Sequence, residues 1–117
     1  MSNRVHNWMV AEWPAPARVR TCITTRSGGI SQAPYETFNL GEHVGDAPAC
    51  VATNRRRLES QLGCRLSWLE QVHGTAVVEA DPIRLMSADA SWTSRVNLAC
   101  AVMTADCLPV LFCDRAG

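Results

Sequence analysis

His73 and Cys107 are the pair whose side chains carry the most chemistry in this chain. Imidazole and thiolate are both good zinc ligands. The same two groups also make a nucleophile and its base, with Cys107 attacking and His73 accepting the proton. A third reading leaves both structural, a turn histidine and a core cysteine. Residue type and spacing leave all three open. Catalytic zinc takes three protein ligands and keeps a fourth position open. A third ligand from within the chain is then His43 or an acid such as Asp106, the other histidine being His6.

A second group of polar residues lies upstream. Arg26 is followed by Ser27, Gly28 and Gly29. Two glycines permit positive φ and let another molecule approach backbone N–H groups. Such a turn beside an arginine can hold an anion, although a glycine pair is first of all a turn signal. Residues 31–45 follow with little periodicity, and a long irregular stretch in a compact domain tends to be functional. It carries Asn39 and His43, each able to hydrogen-bond a polar ligand or simply to satisfy its own loop.

These residues need elements to position them. The period-two alternation of residues 18–25 predicts a strand running into the Arg26 turn. Asp46-Ala47-Pro48 opens a helix, with Asp46 or Ala47 as cap and proline in the first turn. Val51, Leu58 and Leu62 share a face, Arg55, Arg56 and Arg57 read as solvated, and Gly63 is the stop. Residues 66–72 and 75–79 read as a hairpin with His73 at the turn. Residues 81–89 read as a connector that ends on a second acid, Asp89. Residues 96–103 and 108–112 read as two buried strands around the polar turn from Thr104 to Cys107, since Pro109 cannot donate to a ladder. Trp8, Met9, Trp13 and Pro14 read as an apolar lead-in that packs on the sheet. The expected class is α/β.

With 117 residues the chain holds one domain at most. Eleven basic and eleven acidic side chains balance, which gives no support to nucleic-acid or anionic-membrane binding. No apolar run approaches the roughly 20 residues that span a bilayer. No apolar stretch follows a basic start in residues 1–7, which predicts no signal peptide and a cytoplasmic location. The six cysteines contain no Cys-x-x-Cys pair; in a reducing compartment they stay thiols. On one extended segment Cys107 and Cys113 would lie roughly 20 Å apart, beyond disulfide reach.

Six ordered blocks between about residues 20 and 114 carry a family resemblance. They are Thr24-Thr25-Arg26-Ser27-Gly28-Gly29-Ile30-Ser31; Pro34-Tyr35-x-x-Phe38-Asn39-Leu40-Gly41-x-His43-Val44-Gly45-Asp46; Asn54-Arg55; Trp68-Leu69-x-Gln71-Val72-His73-Gly74; Asp89-Ala90-x-x-Thr93; and Met103-Thr104-Ala105-Asp106-Cys107-Leu108-Pro109-Val110. Together they resemble the laccase-domain family of multicopper polyphenol oxidase-like proteins. Members of that family are described as zinc-dependent purine nucleoside phosphorylases with adenosine deaminase activity, and some as peptidoglycan editing factors.

The resemblance implies a layered, mixed-sheet α/β sandwich with its site in a surface cleft. It implies that His73 and Cys107 are two of three zinc ligands and catalytic. The third is a histidine in a His-Ala-Gly-Trp-Arg-Gly motif that this sequence does not contain. Arg26, Asn39 and His43 match polar positions around the cleft. Residues 1–117 then correspond to the N-terminal part of a single domain, expected to be inactive alone and to associate with itself or with a C-terminal segment. The implied partners are a purine nucleoside and phosphate; an arginine at a Gly-Gly turn suits the phosphate, which makes Arg26 the expected holder on its chemistry.

Two other classes stand beside this one. A copper-dependent polyphenol oxidase needs many histidines, typically in His-x-His pairs, and three scattered histidines do not supply them. An inactive half-domain would act only as a binding module.

Overall fold

A computed structural model of the chain describes residues 8–105 and 107–117. Asp106, offered above as a possible ligand, and His6 lie outside the described residues. The described residues up to Arg55, with 110–117, form one compact unit, and residues 56–109 form a second.

The helix α1 runs over Pro48–Leu62. Its first intrahelical bonds come from the Cys50 and Val51 amides to the Ala47 carbonyl, at 3.0 and 3.2 Å, so Ala47 is the cap residue. Pro48 suits the first turn because its missing N–H would be unsatisfied there anyway. At the other end Gly63 takes φ +70° and its amide closes on the Glu59 carbonyl at 2.8 Å. A left-handed glycine just past the last turn satisfies a carbonyl that the helix leaves orphaned. Val51, Asn54 and Leu58 are buried on one face, spaced three and four as a helix requires. The expected face included Leu62, which is only half-buried; a polar residue, Asn54, completes the buried stripe instead.

In the first unit Trp8 stacks on Phe38 with ring centroids 5.9 Å apart. The apolar lead-in thus packs on a loop residue and not on a sheet. Residues 18–25 do not form a strand. Among the described residues their one ladder-type contact is the antiparallel bridge between Met9 and Ile23, with both hydrogen bonds at 2.8–2.9 Å. Alternation alone does not make a strand; the backbone groups need a paired edge.

The second unit holds the six strands found among the described residues, in three parallel pairs. β1 (Arg65–Ser67) pairs with β6 (Leu98–Cys100), β2 (Leu69–Glu70) with β4 (Met86–Ser87), and β3 (Val77–Glu79) with β5 (Ala90–Trp92). Leu58, Leu66, Leu69, Ala80, Ala88 and Leu98 are the buried apolar residues among its described residues. The class is α/β, as expected. The hairpin is not formed, because the strands on either side of His73 each take a later strand as partner. Residue Trp68 interrupts what reads as one strand, and Met86–Ser87 is a strand inside the expected connector.

The expected strand over 96–103 is shortened to Leu98–Cys100, and residues 108–112 contain no strand. Leu108 is 85% exposed and Phe112 88%, and Cys107 is exposed as well. The expectation that they are buried fails for one reason: burial needs a surface to pack against, and the described residues give these side chains none. No helix among the described residues is long and apolar enough to cross a membrane.

Candidate functional site

His73 sits in the turn between β2 and β3, exposed, at φ +57°. This left-handed conformation costs a non-glycine residue about 1–2 kcal/mol. One side chain holds it. Asp89 Oδ1 accepts hydrogen bonds from the Val72 and His73 amides at 3.0 and 2.8 Å, and its Oδ2 accepts one from the Gly74 amide at 2.6 Å. The Gly74 bond first, with those of His73 and Val72, keeps the Asp89 carboxyl below its ordinary pKa, against the opposing effect of desolvation. Asp89 in turn is tied down: its own amide donates to the Ala76 carbonyl at 3.3 Å, and Ala90 beside it opens β5 in register with Val77 of β3.

Cys107 is an exposed free thiol in the same unit. All six cysteines are free. Burial pushes the thiols of Cys22 and Cys64 up in pKa, a direction that disfavours the thiolate form. Among the described residues no three His, Cys, Asp or Glu side chains converge on one point. His73 and Cys107 are both exposed, and imidazole and thiolate are the donor types zinc takes.

Arg26, Asn39 and His43 belong to the first unit, in the loop before α1. The Arg26 side chain is exposed, with Nε 3.9 Å from a Glu36 carboxylate oxygen. The amides of Gly28 and Gly29 donate to Thr37 Oγ1 at 3.0 and 3.2 Å. They are not available to an anion, in keeping with the reading of the glycine pair as first of all a turn. Gly29 is small for a packing reason: a Cβ there would overlap the Thr37 carbonyl oxygen, Asn54 Oδ1 and the Phe38 ring. Asn39 folds back on its own loop. Its Nδ2 donates to the Gly41 carbonyl at 3.1 Å and to Asp46 Oδ2 at 3.2 Å, and its Oδ1 accepts from the Gly41 amide at 3.1 Å. An amide oxygen has two lone pairs, so Asn39 keeps one acceptor position for a ligand. His43 is exposed; its ring and the Asn39 side chain flank Gly41, at 3.4 and 3.5 Å from where a Cβ would stand.

Residues without an assigned chemical role hold this loop. Asn54 is fully buried. Its Oδ1 accepts from the Ile30 amide at 3.0 Å, and its Nδ2 reaches Ser31 Oγ at 2.9 Å and the carbonyls of Thr37 and Asn39 at 3.2 and 2.8 Å. Ser31 Oγ donates onward to Asp46 Oδ2 at 2.6 Å. Arg55, expected on a solvated face, is half-buried: its Nε donates to the Leu40 carbonyl at 2.9 Å and a guanidinium nitrogen lies 3.7 Å from Glu42. Asn54, Arg55 and Asp89 all stand in blocks that carry the family resemblance, which was the available signal for them. An open concavity of about 320 Å³ in this unit is lined by Tyr35, Asp46 and Cys50 among others, and by none of Arg26, Asn39 and His43.

Residues 20–117 match the family model described as multi-copper polyphenol oxidoreductase laccase. A Pseudomonas aeruginosa protein named purine nucleoside phosphorylase PA4543 is 64% identical over 110 residues, covering 94% of this chain and 46% of its own length. Purine nucleoside phosphorylase YfiH of Escherichia coli is 50% identical over 113 residues, with 93% and 46% covered. The crystal structure of Neisseria meningitidis protein NMB0706 superposes with a TM-score of 0.91 at 54% identity, over 96% of this chain and 47% of that one. YlmD from Geobacillus stearothermophilus gives 0.73 at 28% identity, over 84% and 42%. The chain thus spans about half the length of the relatives it matches.

Proposed function

This chain belongs to the multi-copper polyphenol oxidoreductase laccase family, and from that premise we propose that it is part of a purine nucleoside phosphorylase. The reaction would use phosphate to cleave adenosine, inosine or guanosine, with zinc-assisted deamination of adenosine as a second activity. The observation that carries this reading is the 64% identity, across nearly the whole chain, to a protein named for that activity. In this reading residues 1–117 are the N-terminal part of one domain.

His73 and Cys107 would hold the metal, as an exposed imidazole and an exposed thiol. When bound, zinc supplies Lewis acidity at the reaction centre. Arg26 would take the phosphate on its guanidinium alone, since the neighbouring glycine amides are engaged; a planar fork of donors matches a phosphate face. His43 would contact the purine or the sugar. Asn39 would contribute one acceptor, suited to a ribose hydroxyl or a purine N–H, while its amide group holds the loop.

The test is phosphate-dependent release of free purine base from inosine and adenosine, and of ammonia from adenosine. It is run with zinc or with copper, on this chain and on a version extended to the length of its relatives. The expected result is base release with zinc in the extended chain and little in residues 1–117. In the extended chain Arg26→Ala should raise the KM for phosphate at least tenfold and leave the zinc content unchanged. Phenol oxidation with copper, without nucleoside turnover, would replace this reading by the oxidase. Neither metal uptake nor turnover in the extended chain would leave a binding module.

A further inference from the structure

We propose that Asp89 is the positioning residue for His73, its carboxylate gripping the backbone of the turn that presents the imidazole. The inference rests on the reading of His73 as a metal ligand. Outer-shell partners of ligating histidines commonly bind the second ring nitrogen; here the grip is on the main chain. Three consecutive amides, those of Val72, His73 and Gly74, point at one carboxylate within 2.6–3.0 Å. Among the described residues the Asp89 carboxylate is the acceptor for all three amides. The carboxylate comes from a residue fifteen to seventeen positions away along the chain, anchored at the start of the β3–β5 ladder. The left-handed backbone at His73 is thereby set by a remote strand and not by local turn residues.

The chemistry follows from geometry. A metal bound through one ring nitrogen gains from a ligand whose backbone is already fixed, because no turn conformation has to be selected on binding. Releasing the carboxylate frees His73 to return to the extended or right-handed regions that a non-glycine residue prefers, which swings the ring away. An ionised carboxylate is acceptor-only and has positions for all three bonds. In Asp89→Asn the oxygen still serves Val72 and His73, but an amide group faces the Gly74 N–H, donor against donor.

The experiment is a zinc titration of the chain extended to the length of its relatives, followed by NMR of the His73 ring resonances. It is repeated for Asp89→Asn and Asp89→Ala, with the Cα shifts of β1 and β6 reporting that each variant is folded. The expected result is an apparent Kd for the ring shift that rises about tenfold or more in Asp89→Ala. Asp89→Asn should fall between, and the His73 Cα shift should leave its positive-φ value before any zinc is added. Wild-type Kd at His73 in both folded variants overturns the positioning role and leaves the metal reading standing. Zinc that leaves the wild-type His73 ring unmoved overturns the metal reading, and Asp89's part in it with it.

Discussion

At the scale of single residues, the loop that carries Arg26, Asn39 and His43 is organised by polar groups with their bonds made internally. Asn54 has two N–H donors for three acceptors, so one bond is shared, and its oxygen takes the Ile30 amide. A buried amide is tolerated only when satisfied in this way. Asp46 closes the network from the far side. The bond from Ser31 first, then those from Asn39 and the Ala47 amide, favour its charged form and lower its pKa, desolvation opposing. The sign is that of a depressed carboxyl: its contribution is present above the ordinary aspartate pKa, about 3.9, and is lost as pH falls through the lower folded value. Acidification through that window should therefore release the Asn39 side-chain amide from Asp46, seen as a shift of its NH2 resonances. Asp46→Asn should abolish that local transition while Asp81 and Asp89, also lowered in pKa, keep the rest of the molecule acid-sensitive. An unchanged Asn39 transition in the variant would refute this account of the loop.

At the scale of elements, two glycines separate two kinds of constraint. Gly63 ends α1 at φ +70° with open space where a Cβ would go. Gly29 has no positive φ but has the Thr37 carbonyl, Asn54 and Phe38 in that space. Gly63→Ala should cost about 1–2 kcal/mol, the backbone penalty alone. Gly29→Ala should cost about 1–3 kcal/mol or more, and should also disturb the Asn54 hydrogen bonds. Urea denaturation measures the first, and the Asn54 side-chain resonances read the second. Equal effects on those resonances would mean that Gly29 is not a packing glycine. The helix was legible because its signals are local: Pro48 at one end, Gly63 at the other. The strands were legible as apolar runs but not as pairs. A parallel partner is chosen by a segment 13 to 33 residues away, as Val77 with Ala90 and Arg65 with Leu98 show, and nothing in the run itself names it. The same distance hid Asp89, whose bonds to the His73 turn leave no periodic trace.

At the scale of the whole molecule, large apolar side chains remain outside. Leu108, Val110 and Phe112 are 85%, 64% and 88% exposed. Exposed apolar residues in one short stretch favour association. Light scattering across a dilution series should show mass above the monomer at high concentration, and Leu108→Ser with Phe112→Ser should lower it. A monomer at every concentration would count against this stretch as an association surface. The chain covers 46% of the length of each of the two purine nucleoside phosphorylases named above, so the activity proposed for it is best measured in the longer chain.

The order of chemical groups along the chain determined the family and the helix, because each depends on residue type at short spacing. The tertiary structure alone decided that the glycine amides beside Arg26 are occupied, that Asn39 serves its own loop, and that a strand-borne carboxylate clasps the His73 turn. Those outcomes depend on which backbone donors meet which acceptors across many residues. Such meetings are set by packing, and packing has no local code.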